Sequence, residues 1–456
     1  DETDDSNGSA GIHPGCAVVS AALAMAEREN ASGEDFLRAV ILGYDIGSRT
    51  TKALGRDAMR ARNHLPFSIG GTLGATAAAG CLARLGEEQF RHLLSCGAQQ
   101  ASGVMTYARD TEHIEKAFIF GGMPARNGVT AATIVQSGYT GVHDVFDGHG
   151  NFLAAYANSP KPQELTAELG SRYEVMLTNI KKYCVGFPIQ SAVEGLIDLM
   201  AEHQLKADQV ERIAARLPES GAHTVNDREM PDVNLQYVFA VTLLDGKLTF
   251  EAAHSFERMK DPRVLELKKK VTLIGDPELT RARPEGQSIV QVTTRDGRRL
   301  EKRVTTFKGR SENPLTTDEI EEKAQELLEP VLGQPRTRRL MEAIDKLEYA
   351  QVFHQIGLST DLKTALEEAK AVRFNPKFDV FVHGKVEPPN IGKLSRYRNF
   401  KVLILEDLHA YSVQKRGEAP VEASAFMKIE NFKVKQGEKE RVVNGVFRLK
   451  GMMPVE

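Results

Sequence analysis

Tryptophan is absent from the 456 residues, and cysteine occurs only at positions 16, 81, 96 and 184. Scattered thiols with no C-x-x-C pair argue against a disulfide framework or a zinc module, and suggest reduced thiols in a cytoplasmic protein. No stretch is apolar for long enough to cross a bilayer. The longest runs, such as Phe239–Leu244, suit a buried helix or strand, so no membrane partner is expected. Neither sign of charge is in large excess, the net being −3. No arginine-rich run or stacking-aromatic pattern speaks for nucleic acid. A signal peptide is also missing, but the chain opens at Asp1 inside what reads as an ongoing loop, so an upstream segment is expected. Internal repeats and low-complexity tracts are absent.

What is present is a globular composition, 41% apolar and 27% charged, in a chain long enough for two or three domains. Residues 14 to about 205 read as almost entirely helical. Pro14 suits a first turn before the run Ala17–Glu27, and Ser32 with Asp35 suits a cap ahead of Phe36–Ile46. Ile69–Leu85 is rich in Ala and Gly, which favours helices packed backbone to backbone. Glu87–Ala108 and Ala125–Ser137 continue the helical pattern. Gly70-Gly71-x-x-Gly74 imitates part of a dinucleotide fingerprint, but no strand precedes it and it is read as packing.

From about 208 the period changes. Val210–Leu217 reads as a strand and Pro231–Leu244 as a helix. Ser288–Thr294 and Leu300–Thr306 read as a hairpin about Asp296-Gly297. Helices return at Thr317–Leu328, stopped by Pro330, and at Thr337–Leu347. The fold class is therefore mainly α with α+β: a helical domain, 1–207, completed by 321–350 and interrupted by a smaller α+β domain at 208–320. Residues 351–456 have a third texture, with a helix expected at Leu362–Val372. Strands are expected at Phe378–Val386, Phe400–Leu405, Ala425–Val434 and Arg441–Leu449. This β-rich module carries 18 Lys and Arg against 13 Asp and Glu, opposite in sign to the rest, and its function is not legible.

The most chemically loaded stretch is the first fifteen residues. Four carboxylates and two hydroxyls fall within six positions, then a small spacer leads to His13-Pro14 at the start of a helix. Free backbone N–H groups and the helix dipole favour an anion there. An acid cluster, a histidine and an anion-binding helix end suit proton transfer on a carboxylate. The plainer alternative is a polar loop capping a helix. A calcium loop is disfavoured because Ser6, Asn7 and Gly8 bring no further carboxylates.

Several pieces in order resemble the MmgE/PrpD family, which includes 2-methylcitrate dehydratase, cis-aconitate decarboxylase and iminodisuccinate epimerase. They are Glu2-Thr3-Asp4-Asp5-Ser6 with His13-Pro14-Gly15, Ala39–Asp45 with Arg49, Gly138-Tyr139-Thr140-Gly141, Ile180-Lys181-Lys182-Tyr183-Cys184, Leu243-Leu244-Asp245-Gly246, and Lys308-Gly309 with Asn313-Pro314. Together they span about residues 1–350. The resemblance implies a helical domain with an α+β lid, a homodimer, and a lyase acting on a small polycarboxylate without metal or organic cofactor. It puts Asp4 or Asp5, Ser6 and His13 in the acid/base and substrate-contact loop and Lys181, with Lys182 beside it, at the active site. The site expected is therefore His13, Lys181 and Asp4 in catalysis, with Asp5, Ser6, Asn7, Lys182 and His223 in substrate contact. The reading is a 2-methylcitrate dehydratase-like hydro-lyase. Its alternatives are an epimerase, isomerase or decarboxylase of the same family, and a non-catalytic relic of the fold.

Two departures from the family stand out. The family's helical segment ahead of the acidic motif is not in this sequence. The lid histidine of the decarboxylase branch has Val233-Asn234 in its place, with His223, Asn226, Asp227, Arg228 and Asp232 as nearby polar groups. Cys184, beside the lysine motif, has no evident histidine partner and reads as buried.

Overall fold

The computed structural model describes residues 3–110 and 114–349, and the strands 422–436 and 439–452 at the level of the backbone. The first compact unit ends at residue 369 and the second runs from 370 to 456. No helix among the described residues is long and apolar enough to cross a membrane.

The helical part is built on α1 (Pro14–Glu29), α2 (Gly33–Leu54), α3 (Pro66–Leu82), α4 (Glu87–Gln100) and α5 (Met123–Gln136). Pro14 occupies the first turn of α1, and the Ser32 side chain accepts from the Asp35 N–H at the start of α2. Both agree with the sequence signals. Helix α3 lies at the centre, with every residue from Pro66 to Gly80 buried. Its glycines let it cross α2 at backbone distance. A Cβ on Gly74 would lie 2.6 Å from the Gly43 carbonyl oxygen, and one on Gly47 would lie 2.7 Å from that of Gly70. The imitation fingerprint is thus a packing seam. Gly74→Ala is expected to cost about 1–3 kcal/mol through overpacking, despite alanine's better helix propensity. A denaturant midpoint unchanged or raised by that substitution would refute the seam.

The expectation of nearly continuous helix to about 205 is corrected here. Helix α4 stops at Gln100, short of Ala108, and from Ser137 to Gly186 the only helical pieces among the described residues are short turns, with one two-residue strand at Asn179–Ile180. Positive-φ residues at Gly138, Gly148, Gly150, Glu168 and Gly170 break the run. The segment is held in place by Arg49, buried on α2. Its guanidinium pairs with Asp45 at 2.5 Å and donates to the carbonyls of Ala167 at 2.5 Å and Arg172 at 2.9 Å.

The α+β core gathers α6 (Gln190–His203), α7 (Glu219–Val225) and α8 (Leu235–Asp245) around a four-stranded sheet. Its strands are β3 (Val210–Pro218), β4 (Val271–Asp276), β5 (Ser288–Thr294) and β6 (Arg299–Val304), in the order β4-β3-β5-β6. The β3–β4 pair is parallel and the others antiparallel. The buried face of α6 belongs to this core, so its packing starts as early as Val185. The expected hairpin about Asp296-Gly297 is β5–β6. The expected helix at 231–244 is split, because Asn234 caps α8 through its Oδ1, which accepts from the Tyr237 N–H at 2.9 Å.

Helix α9 (Thr317–Leu332) runs through Pro330 rather than stopping at it, and α10 (Gln334–Asp345) follows. Leu332 and Leu340 pack with Leu23 of α1, and Leu347 joins the helical core. In the second unit, β7 (Glu422–Gln436) and β8 (Lys439–Met452) form an antiparallel hairpin with a bulge between Ile429 and Phe432. This hairpin covers the two strands expected at 425–434 and 441–449. The helix expected at 362–372 and the strands at 378–386 and 400–405 lie outside the described residues.

Candidate active site

Two short strands, β1 (Asp5–Ser6) and β2 (Asn179–Ile180), join the acid stretch to the lysine motif. Asp5 faces Ile180 and Ser6 faces Asn179 in antiparallel register. Continuing that register by one residue sets Asp4 opposite Lys181, where cross-strand side chains meet. The Lys181 ammonium donates to Asp4 Oδ1 at 2.9 Å, both groups being almost completely removed from solvent. The chain then turns back through the Asn7–Ile12 bridge, which returns the next residue, His13, to Asp5. His13 Nδ1 lies 2.6 Å from the Asp5 carbonyl oxygen and 3.3 Å from Asp4 Oδ1. Both of those oxygens can only accept while Asp4 is ionised, so Nδ1 carries the hydrogen and Nε2 is the nitrogen left for proton transfer.

The imidazole is held edge-on to Phe67, with centroids 5.0 Å apart, and stacked on Phe120 at 5.7 Å. This aromatic sleeve fixes the ring plane. His13 precedes α1 as its cap residue, but its side chain makes no capping bond and turns to the acid loop instead.

The two aspartates differ in character. Burial alone would raise Asp4, but the charges of His13 and Lys181 outweigh it and hold the carboxyl far below the ordinary range. Burial raises Asp5, and the nearby Asp4 charge adds to the rise. The Tyr44 hydroxyl and the Gly15 N–H, 3.1 Å away, only partly offset this. Adjacent carboxyls with their affinities for protons pushed apart are a recurring way to set one anion beside one acid. Among the described residues, Asp4 Oδ2, Asp5 Oδ2 and Ser6 Oγ are buried without a hydrogen-bond partner. Each such orphan costs about 1–3 kcal/mol, so three on consecutive residues mark a place suited to a polar ligand.

The remaining expected residues separate. Asn7 is fully buried and engaged in the fold. Its Nδ2 donates to the Glu174 carbonyl oxygen at 3.2 Å, while its Oδ1 accepts from Ser9 and the Ala10 N–H. Glu174 is itself paired with Lys52 at 2.5 Å and takes Asp45 as acceptor for its N–H at 3.0 Å. Lys182 turns away from Asp4 to Glu319, 3.2 Å distant, which Lys308 also contacts. These contacts, with the Thr316 N–H bond, draw the Glu319 carboxyl down to about 2. His223 is exposed on α7 and makes no hydrogen bond or ion pair with the acid loop among the described residues.

Sequence reasoning missed Lys323. From α9 its ammonium donates to the Thr3 carbonyl at 2.8 Å and to that of Lys181 at 2.5 Å, tying both strands of the site together. Burial pushes its pKa down. Its position four residues before Leu327, on the inward face of α9, is the signal that could have found it. Gly309, from the Lys308-Gly309 motif, has φ +98°, and a Cβ there would lie 2.1 Å from the Ile180 carbonyl oxygen. Glycine is therefore required beside β2. Cys184 is buried as expected, and burial raises the pKa of its thiol.

A cavity of about 400 Å³ is lined by Ala108 and Arg109 of the helical part and by Asp227, Arg228, Glu229 and Met230 of the α+β part. Its lining does not include His13, Asp4 or Lys181; Tyr107, next to Ala108 in the chain, packs edge-on to Phe120 at 5.1 Å. The α+β wall is fixed by α8. Asn234 Nδ2 donates to the Arg228 carbonyl at 2.5 Å, and Gln236 Oε1 accepts from the Asp227 N–H at 3.0 Å.

The MmgE/PrpD N-terminal domain matches residues 1–165 and the MmgE/PrpD C-terminal domain matches 183–349, so the chain belongs to the MmgE/PrpD family. It is 29% identical over 358 residues to the cis-aconitate decarboxylase of Homo sapiens, covering 74% of this chain and 72% of that one. It is 26% identical over 380 residues to the cis-aconitate decarboxylase-like protein oryM of Aspergillus oryzae, covering 76% and 77%. The 2-methylcitrate dehydratase-like protein oryR of the same fungus is 30% identical over 182 residues, 36% of each chain. By name these relatives are lyases.

Proposed function

We propose that the protein is a lyase that removes a proton beside a carboxylate of a small di- or tricarboxylate and expels water, without a cofactor. The observation that carries this reading is the meeting of His13 and Lys181 on one buried carboxylate, Asp4. His13 Nε2 takes the α-hydrogen as a proton. Asp4, kept ionised, steadies the imidazolium that forms, as the aspartate does in a Ser-His-Asp triad. Lys181 locks the Asp4 carboxylate in position and, with Lys323, lends positive charge where the substrate becomes more negative. The C–O bond then breaks, and Asp5, whose proton affinity burial raises, is the carboxyl assigned to protonate the departing hydroxide to form water. Ser6 Oγ hydrogen-bonds the substrate.

A second reading, decarboxylation, is favoured by the names of the relatives that align with about three-quarters of the chain. Incubation with a panel of small polycarboxylates in D2O separates the outcomes. New alkene absorbance marks elimination, release of carbon dioxide marks decarboxylation, and deuterium uptake without either marks an epimerase. No reaction with any acid of the panel would leave a fold without this activity.

In this reading Arg109 and Arg228 hold a distal carboxylate in the cavity. Arg228→Ala is expected to raise KM about 10-fold or more with kcat nearly unchanged, as for a lost charged hydrogen bond that serves ground and transition states alike. Steady-state kinetics with an unaltered KM would remove Arg228 from binding.

A further inference from the structure

The geometry points to a second site, remote in chemistry from the acid loop: a binding site for a divalent transition-metal cation of the zinc type, formed by Glu88, His92 and His143. One donor atom from each lies within 4.8 Å of the others. Glu88 and His92 are four residues apart on α4 and so share a face of the helix. His143 comes from the loop after α5, its ring 4.8 Å from that of His92 at 75°. Its Nε2 is 4.0 Å from Glu88 Oε1.

The site is supported beneath its donors. His92 is buried, and its Nδ1 lies 2.9 Å from the Gly141 carbonyl oxygen. A cation on Nε2 selects the tautomer in which Nδ1–H donates to that carbonyl. A ligating histidine commonly has such an outer partner. The Gly141 N–H donates to Nδ1 at 3.1 Å, a bond that the Nδ1–H tautomer exchanges for the one to the Gly141 carbonyl, and the Val142 N–H donates to Ser95 Oγ at 3.2 Å. A Cβ on Gly141 would lie 2.7 Å from Ser95 Oγ, so the loop is pressed onto α4 and delivers His143 over His92.

Two imidazoles and one carboxylate suit zinc and its neighbours rather than magnesium or calcium, which prefer all-oxygen ligands. Metal–nitrogen distances of about 2.0–2.1 Å imply donors about 3.3 Å apart in a tetrahedron. The present spread closes by rotation of Glu88 and His143, whose side chains are 77% and 54% exposed. Three protein ligands leave a fourth position for water. No sequence motif signals this site, because its third donor comes from a separate element.

The test is titration of the metal-free full-length chain, without a histidine tag, by calorimetry with Zn²⁺ and by visible absorption with Co²⁺. One equivalent should bind, with a tetrahedral cobalt spectrum and a raised Tm. His143→Ala and Glu88→Gln should each weaken binding at least about 10-fold and abolish the spectrum. Their metal-free Tm and their turnover should match the parent. An unmodified chain that takes up no ion, or variants that bind as tightly as the parent, would overturn the site.

Discussion

His13→Ala is expected to lower kcat at least about 100-fold on whichever polycarboxylate the protein turns over, the scale of a lost general base. The imidazole is partly exposed and packs between Phe67 and Phe120, so its loss leaves the surrounding strands intact. The folded state should survive with a small change in Tm, and KM should move little. Added imidazole should restore part of the rate, because it supplies the missing nitrogen and not the missing packing. A variant with parental kcat would remove His13 from the mechanism.

Lys181→Met is expected to damage both stability and turnover. It leaves the Asp4 carboxylate without its ammonium partner, 2.9 Å away, and breaking a buried pair costs about 3–5 kcal/mol. The sign with pH follows from Asp4. Its folded pKa is depressed, so its contribution is complete above the ordinary carboxylate range and is lost as pH falls toward the folded value. In the variant, acid protonates Asp4 and relieves the unpaired charge. The stability gap to the parent should therefore be widest near neutral pH and should shrink as pH falls through the carboxylate range. Turnover should fall at least about 100-fold, since Asp4 is no longer held against His13. Denaturant melts at several pH values check this, and a gap independent of pH would contradict the Asp4–Lys181 coupling.

Much of this arrangement was legible in the sequence, and the parts that were not share a cause. The acid stretch, His13 and the Lys181 motif could be named because their residue types are unusual for their local surroundings. The strand at 210–218 and the hairpin about Asp296-Gly297 follow from period and turn chemistry, which are local. The β1–β2 ladder is only two residues long and joins positions far apart in the chain, so no periodicity announces it. Asn7 and Lys182 belonged to the right motifs, yet their side chains are drawn to Glu174 and Glu319 by contacts that only the fold creates. Lys323 was hidden for the same reason. Arg49 and Tyr44 came into view as family matches, and the structure shows one bracing the irregular segment and the other touching Asp5.

The most direct test is solvent exchange at the carbon beside the carboxylate, followed by mass spectrometry or proton NMR in D2O with the best acid of the panel. With a hydro-lyase, deuterium should enter that position of the hydroxy acid as the enzyme equilibrates it with the alkene, and His13→Ala should reduce the rate in proportion to its turnover. Exchange as fast in His13→Ala as in the parent would mean that the proton moves elsewhere, and the site built on Asp4 would not be the catalytic one.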